Sequence, residues 1–139
     1  MNRSFYFDTS IWLDFLENRD EPNFPKSKWA KKLVENIILE DDILLISDLN
    51  LIELEHLGYS IYIFDEMIQK FGDRFVKVEA GEDELGRARD LANKRNIPRN
   101  DAIHALIART NRAILITLDR HFNEIKDICI PHSPREFAF

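Results

Sequence analysis

The 139-residue sequence has few of the residues that define special classes of protein: one cysteine, four glycines and five prolines. The lone thiol, Cys129, excludes a disulfide scaffold, and so few glycines and prolines exclude collagen-like chains. The longest apolar runs, such as Ile43–Ile46 and Ala113–Ile116, fall far short of the roughly 20 residues that span a bilayer. The polar start, MNRSFYFDTS, has no apolar leader. We therefore expect a cytoplasmic protein.

The composition is that of an ordinary globular chain, with 45% hydrophobic and 32% charged residues. Since single cores close at roughly 100–150 residues, we expect one domain over residues 1–139. Acidic residues outnumber basic residues by 25 to 19. An acidic balance argues against nucleic-acid binding, because phosphate contacts need clustered Lys and Arg. Carboxylates gathered around a metal ion would account for much of the excess, so the balance does not exclude a nucleic-acid substrate.

Short apolar runs alternate with amphipathic stretches along the chain. Strands are predicted at Ser4–Phe7, Ile43–Ile46, Arg74–Val78 and Ala113–Ile116, with a short fifth at Asp127–Ile130. Helices are predicted between them, with caps at Ser27, Asp48 and Asn100 among others. Strands that alternate with helices indicate right-handed βαβ units. The sequence therefore predicts a three-layer α/β/α fold around a mostly parallel sheet of four or five strands.

Four acidic residues fall at the ends of these strands or in the helices that follow. Asp8 ends the first strand and Asp119 follows the fourth. Glu53 lies in the helix after the second strand, and Asp101 opens the helix after Pro98. In an open parallel sheet, ligands bind outside the carboxyl ends of the strands, where the strand order reverses. We therefore expect the four acids to converge at that edge.

Converging carboxylates repel one another unless a cation shares their site. Oxygen ligands select a hard cation such as Mg²⁺ or Mn²⁺ rather than zinc. Such an ion takes further ligands from substrate phosphates and activates water. The acid set therefore indicates hydrolysis of phosphodiester bonds.

Each acid also has a structural interpretation. Asp8 is able to cap the following helix, and Asp101 suits a first helical turn through the helix dipole. Asp119 is compatible with an ordinary turn. Glu55 competes with Glu53, because the segment LIELEH lets either face the cleft, although the apolar spacing favours Glu53. The coincidence of all four acids carries the hypothesis.

Four short motifs, in this order, resemble those of the PIN-domain nucleases, most closely the VapC type of toxin ribonuclease. The motifs are FDTS at Phe7–Ser10, LxLxEL at Leu49–Leu54, NDAxxA at Asn100–Ala105 and LITLDRHF at Leu115–Phe122. The resemblance implies a Rossmann-like PIN fold and an endoribonuclease that depends on Mg²⁺ or Mn²⁺. It also implies a homodimer, an RNA substrate and an antitoxin protein partner in a type II toxin–antitoxin pair.

The motif positions also imply roles for individual residues. The acids that resemble the metal-binding quartet of the family are Asp8, Glu53, Asp101 and Asp119. Ser10 and Thr117 resemble the hydroxyls that orient the acids or the attacking water. The chain departs from the family at His121, where many members carry another acid, so we expect one metal ion rather than two.

Other residues near the motifs keep two interpretations. Asp14 is either a support for the acids or a solvated helix acid, and His121 either contacts phosphate or supports the acids. We interpret His104 as a structural histidine. Basic groups at the start of the second helix and before Asp101 either contact RNA or form solvated faces.

Other functions compete with a toxin ribonuclease. A PIN nuclease of RNA processing would act without an antitoxin. A phosphatase of the haloacid dehalogenase type also begins with a strand-end Asp, but it needs DxD, and Ser10 occupies the third position here. A non-catalytic binding module with the PIN fold would not need the complete acid set.

Overall fold

The computed structural model describes residues 2–139 of the chain. The strands are β1 (Ser4–Phe7), β2 (Ile43–Ser47), β3 (Phe75–Val78), β4 (Ile114–Ile116) and β5 (Pro131–His132). They form one sheet in the order β3-β2-β1-β4-β5, and every neighbouring pair is parallel. The strand order reverses between β1 and β4, so the crevice at their carboxyl ends is where separate segments of the chain meet.

The helices connect the strands and cover both faces of the sheet. They are α1 (Thr9–Leu16), α2 (Lys26–Leu39), α3 (Asp48–His56), α4 (Ile63–Phe71), α5 (Glu82–Arg95) and α6 (Arg99–Thr110). Phe5 and Phe7 of β1 pack into one apolar cluster with Trp12, whereas Tyr6 packs into a second with Leu106. This alternation follows from the strand pleat and confirms the predicted three-layer arrangement. Within residues 2–139, no helix has the length and apolar character to cross a membrane.

Two of the expected helix caps are wrong because neighbouring side chains bind the free N–H groups instead. Ser27 lies inside α2, and its backbone N–H donates to the carboxylate of Asp20 at 2.8 Å. Ser47, not Asp48, caps α3: its hydroxyl accepts from the N–H of Asn50 at 3.0 Å. The Asn50 side chain accepts from the Ser47 N–H at 3.0 Å in return, which completes a capping box.

Two further expectations fail, one at the start of α6 and one just before β5. Asn100 does not cap α6; it lies within the helix, and its amide donates to Glu53 at 3.3 Å. The segment predicted as a strand at Asp127–Ile130 forms a turn, because the N–H of Ile128 donates to the carbonyl of Ile125 at 2.9 Å. The last strand, β5, begins only after this turn.

Candidate metal centre

Asp8 leaves β1 at the middle of the sheet and is buried. Its Oδ1 accepts from the Ser10 hydroxyl at 2.8 Å and from the Ile11 N–H at 3.2 Å, so it also caps α1. Its Oδ2 accepts from the Thr117 hydroxyl at 2.6 Å. Burial raises the pKa of Asp8 above its ordinary value, and the bonds from Thr117 and Ser10 oppose that rise. The two hydroxyls expected from the motifs thus both contact this carboxylate.

Asp101, Asp119 and His121 form a cluster at the same edge. Asp101 lies in the first turn of α6, and Asp119 follows β4 and precedes the 3-10 segment Arg120–Ile125 that carries His121. One ligand atom from each lies within 4.8 Å of the others, and this is the one such group found among residues 2–139. The Nδ1 atom of His121 lies 3.0 Å from Asp119 Oδ1 and 3.3 Å from Asp101 Oδ2.

Asp101 is the least satisfied acid of this cluster. Its Oδ2 is buried and has no hydrogen-bond partner among residues 2–139, since the contact with His121 lacks hydrogen-bond geometry. Burial, followed by the charge of Asp119, raises the pKa of Asp101 to about 6, and the charge of Asp8 adds to the rise. A buried carboxylate oxygen without a donor, placed among like charges, is stabilised by a cation. The residues present therefore fit a divalent metal ion.

Glu53 reaches the crevice from α3. Its Oε1 accepts from the Thr9 hydroxyl at 2.7 Å and from His104 Nε2 at 2.6 Å, and its Oε2 accepts from Asn100. Burial alone would raise the pKa of Glu53, but the hydrogen bond and charge of His104, with Thr9 and Asn100, hold it below its ordinary value. The rival residue, Glu55, is exposed on the same helix.

His104 links Glu53 to a polar chain inside the core. The hydroxyl of Tyr6 lies 2.5 Å from His104 Nδ1 and 2.7 Å from Ser47 Oγ. Because an ionised Glu53 can only accept, His104 Nε2 donates to it, which leaves Nδ1 facing the hydroxyl of Tyr6. His104 is buried with both ring nitrogens partnered, as the structural interpretation requires, and it also fixes the position of Glu53.

Asp14 contacts Arg19, and it is not the solvated helix acid that one interpretation expected. It is 2% exposed, and the Nε of Arg19 lies 3.4 Å from its Oδ1, which has no hydrogen-bond partner among residues 2–139. Burial raises the pKa of Asp14 to about 6, against the opposing charges of Arg19 and Lys26.

The basic groups near the motifs are in part engaged with acids. Lys26 lies 3.5 Å from Glu21, and Arg95 makes two bonds to Asp127, at 2.7 and 2.9 Å. Arg99 and Arg120, by contrast, are exposed beside Asp101 and Asp119 in the sequence. A groove of about 230 Å³ beside Asp119 is lined by residues that include Arg120, Asn123 and His132.

The sequence model of the PIN domain matches residues 5–128, a stretch that contains all four acids. The chain belongs to the PIN domain family. PIN domains are nucleases, and PIN nucleases use divalent metals. The PIN fold expected from the motifs is confirmed.

Three of the solved structures that resemble this chain in fold have low sequence identity to it. A toxin–antitoxin complex from Klebsiella pneumoniae has 21% identity and a TM-score of 0.59, and the match covers 94% of this chain and 97% of that one. VapBC2 from Rickettsia felis, bound to a DNA fragment from its promoter, has 17% identity, a TM-score of 0.67 and coverages of 94% and 98%. PAE2754 from Pyrobaculum aerophilum has 16% identity, a TM-score of 0.57 and coverages of 99% and 87%. No curated protein sequence matches the chain.

Two residues of the PIN-domain crevice, Thr9 and Asn100, had no predicted role there. Asn100 was predicted only as a helix cap and Thr9 only as part of the FDTS motif, yet both donate to Glu53. Thr9 directly follows Asp8 in the sequence, and Asn100 directly precedes Asp101. This adjacency could have identified both residues, because a residue next to an acid of the crevice can reach the same crevice.

Proposed function

We propose that residues 1–139 act as one nuclease domain, a divalent-metal-dependent endoribonuclease that serves as the toxin of a type II toxin–antitoxin pair. Membership of the PIN family supports nuclease activity. Two similar structures, from Klebsiella pneumoniae and Rickettsia felis, are a toxin–antitoxin complex and VapBC2, which supports an antitoxin partner. The VapC-like motifs support an RNA substrate and a homodimer.

The unpartnered Oδ2 of Asp101 carries the proposal. This atom is buried beside Asp119 and His121, where its negative charge has no donor to stabilise it. A lone buried charge is costly, and the neighbours of the two unpartnered carboxylates differ. Asp14 Oδ1 lies 3.4 Å from the cation of Arg19, whereas Asp101 has a second acid, Asp119, beside it. A metal-binding carboxylate needs a free lone pair.

Asp8, Asp101 and Asp119 would hold the metal ion, Mg²⁺ or Mn²⁺, and Glu53 would hold one of its waters. When bound, such an ion activates water and stabilises negative charge on the phosphate. Asp8 can take part through Oδ2, which accepts one bond, from Thr117, and keeps a second lone pair. Ser10 and Thr117 keep Asp8 in one orientation through their hydroxyls.

Glu53 and the exposed arginines would position the reactants. Glu53 stays ionised at neutral pH because His104, Thr9 and Asn100 donate to it, so it can accept a hydrogen bond from the attacking water. Arg120, in the groove beside Asp119, would contact a phosphate of the RNA. The water oxygen would bond to phosphorus in line as its proton passes to Glu53. The bond from phosphorus to the leaving oxygen would break, that oxygen would take a proton from solvent, and no covalent enzyme intermediate would form.

Cleavage of a single-stranded RNA by the purified protein tests this function. We expect products with Mg²⁺ or Mn²⁺, none with EDTA, and little cleavage of a DNA of the same sequence. Cleavage that persists in EDTA, or that fails with both metals, would overturn the proposal. An antitoxin is tested separately, by co-purification with the product of a neighbouring small gene; without such a partner, the RNA-processing alternative would replace the toxin.

A further inference from the structure

One ligand atom at the carboxyl edge of the sheet is a nitrogen. His121 Nδ1 lies 3.0 Å from Asp119 Oδ1 and 3.3 Å from Asp101 Oδ2. Ligands about 2.1 Å from an octahedral metal ion are about 3.0 Å apart on adjacent vertices. The separation between Nδ1 and Asp119 Oδ1 therefore fits two neighbouring positions around one ion, and the separation to Asp101 Oδ2 is only slightly longer.

A simple ion pair accounts for this arrangement less well. Nδ1 carries at most one proton, so it can bond to one of the two carboxylates but leaves the other without a donor. The unpartnered oxygen is Asp101 Oδ2, which is buried. Asp119 Oδ1 already accepts from the backbone N–H of His121 at 2.9 Å. An ion among the three atoms would contact all of them.

We propose that His121 is a ligand of the divalent metal through Nδ1, and that this nitrogen biases the centre toward transition-metal ions such as Mn²⁺ at the expense of Mg²⁺. The inference rests on the proposed metal-dependent nuclease and names the ion that its centre prefers. With Asp101 and Asp119, His121 supplies three neighbouring ligands. Its side chain is 57% exposed, so it can move to optimise the bond without disturbing the core.

The chemistry of the ligands gives this preference. Imidazole nitrogen suits transition metals, whereas Mg²⁺ favours oxygen ligands and keeps several waters. A neutral imidazole also lacks the anionic oxygen that a further carboxylate would offer Mg²⁺. Substituting His121→Asp would supply that carboxylate and should shift the preference toward Mg²⁺.

Pulsed electron paramagnetic resonance of the full-length protein loaded with Mn²⁺ tests the nitrogen ligand directly. We expect a ¹⁴N coupling from a coordinated imidazole in the wild type and none in His121→Asp or His121→Ala. The control is His56→Ala, which removes an exposed histidine at the end of α3 and should leave the coupling unchanged. Coupling that survives in both His121 variants would assign the nitrogen to another ring, such as His104, and overturn the proposal.

Calorimetric titration measures the preference without relying on activity. We expect the ratio of Mn²⁺ to Mg²⁺ affinity to fall about tenfold in His121→Asp, within the range that losing a supporting residue typically costs a metal site. Wild-type protein that binds Mn²⁺ with no nitrogen coupling would overturn the role of His121 and leave the nuclease proposal standing. Wild-type protein that binds neither ion would overturn both.

Discussion

Two buried aspartates stand at opposite edges of the sheet, and their partners differ. Asp42, just before β2 at the amino edge, is 4% exposed, and Asp8, just after β1 at the carboxyl edge, is 5% exposed. The guanidinium of Arg3 donates to Asp42 at 3.0 and 3.2 Å, and the Arg3 N–H donates at 2.8 Å. The partners of Asp8 are the hydroxyls of Ser10 and Thr117 and one backbone N–H, none of which carries a charge.

Burial alone therefore does not distinguish a structural acid from a functional one in this molecule. At the amino edge Arg3 neutralises Asp42, whereas within residues 2–139 no Arg or Lys forms an ion pair with Asp8, Asp101 or Asp119 at the carboxyl edge. At the carboxyl edge, burial and the charge of Asp119 raise the pKa of Asp101 to about 6. Perturbed carboxylates that cluster in a crevice mark candidate sites, whereas a neutralised pair marks structure. The missing counter-charge at the carboxyl edge is what an external ion would supply.

The largest expected effect separates Asp8 from Asp42. Asp8→Asn keeps the shape of the side chain but removes its charge, so RNA cleavage should fall about 1,000-fold or more. Asp42→Asn should keep its rate per folded molecule and lose about 1–3 kcal/mol of stability, because its charge-assisted bonds to Arg3 are weakened. Initial rates and urea unfolding measure the two effects. Equal loss of activity in both folded variants would break the comparison between the edges.

Much of the fold could be predicted because its signals are local. The strands β1, β2 and β4 are short apolar runs. Asp8 follows β1 directly and Asp119 lies three residues after β4 ends, so the pattern placed both at the carboxyl edge. Cap residues were less predictable, since Ser47 and Asp48 are both good capping types. The choice between them depends on a distant group: Asp48 Oδ1 accepts the N–H of Ala80 at 3.2 Å.

The contacts of the candidate site could not be predicted in the same way, because they join remote parts of the chain. Tyr6 and His104 are 98 residues apart in the sequence, and Thr9 and Glu53 are 44 apart. The helical spacing also did not predict whether the Asp14 side chain is buried. The short helix α1 packs against both α2 and α3, so few of its positions remain exposed.

The next largest effect tests whether Glu53 or Glu55 serves the centre. Glu53→Gln removes the charge that His104 and Thr9 contact, so cleavage should fall about 100-fold. Glu55→Gln, on the exposed side of the same helix, should match the wild type. Rates at saturating RNA compare the pair. An inactive Glu55→Gln beside an active Glu53→Gln would reverse the assignment.

A third buried aspartate, Asp14, lies farther from its cation, Arg19, than Asp42 lies from Arg3. It tests whether a buried acid with such a partner destabilises the folded protein when it is ionised. Its pKa rises from 3.8 to about 6 on folding, so the folded protein binds this proton more tightly than the unfolded chain does. Its contribution to stability is therefore greatest below about pH 4 and is lost as the pH rises to about 6.

Asp14→Asn should remove that loss and stabilise the protein at pH 7.5 by about 1–3 kcal/mol, with little gain at pH 4. Urea unfolding at several pH values measures it. Asp127→Asn is the control, because Arg95 holds the pKa of that exposed carboxyl below its usual range, so no gain at neutral pH is expected. An Asp14→Asn variant no more stable than wild type at pH 7.5 would contradict the account.

The smallest effect compares two exposed arginines at the opposite ends of β4. Arg120 lies by the groove at the carboxyl end, and Arg112 lies in the turn before the amino end. Arg120→Gln should raise the KM for RNA about threefold to tenfold at low salt, leave kcat unchanged and reduce the salt dependence by about one phosphate contact. Arg112→Gln should leave all three unchanged. Equal weakening of RNA binding in both variants would mean that the whole surface attracts RNA. Weakening in Arg120→Gln alone would mean that RNA binds along the carboxyl edge, beside Asp101 and Asp119.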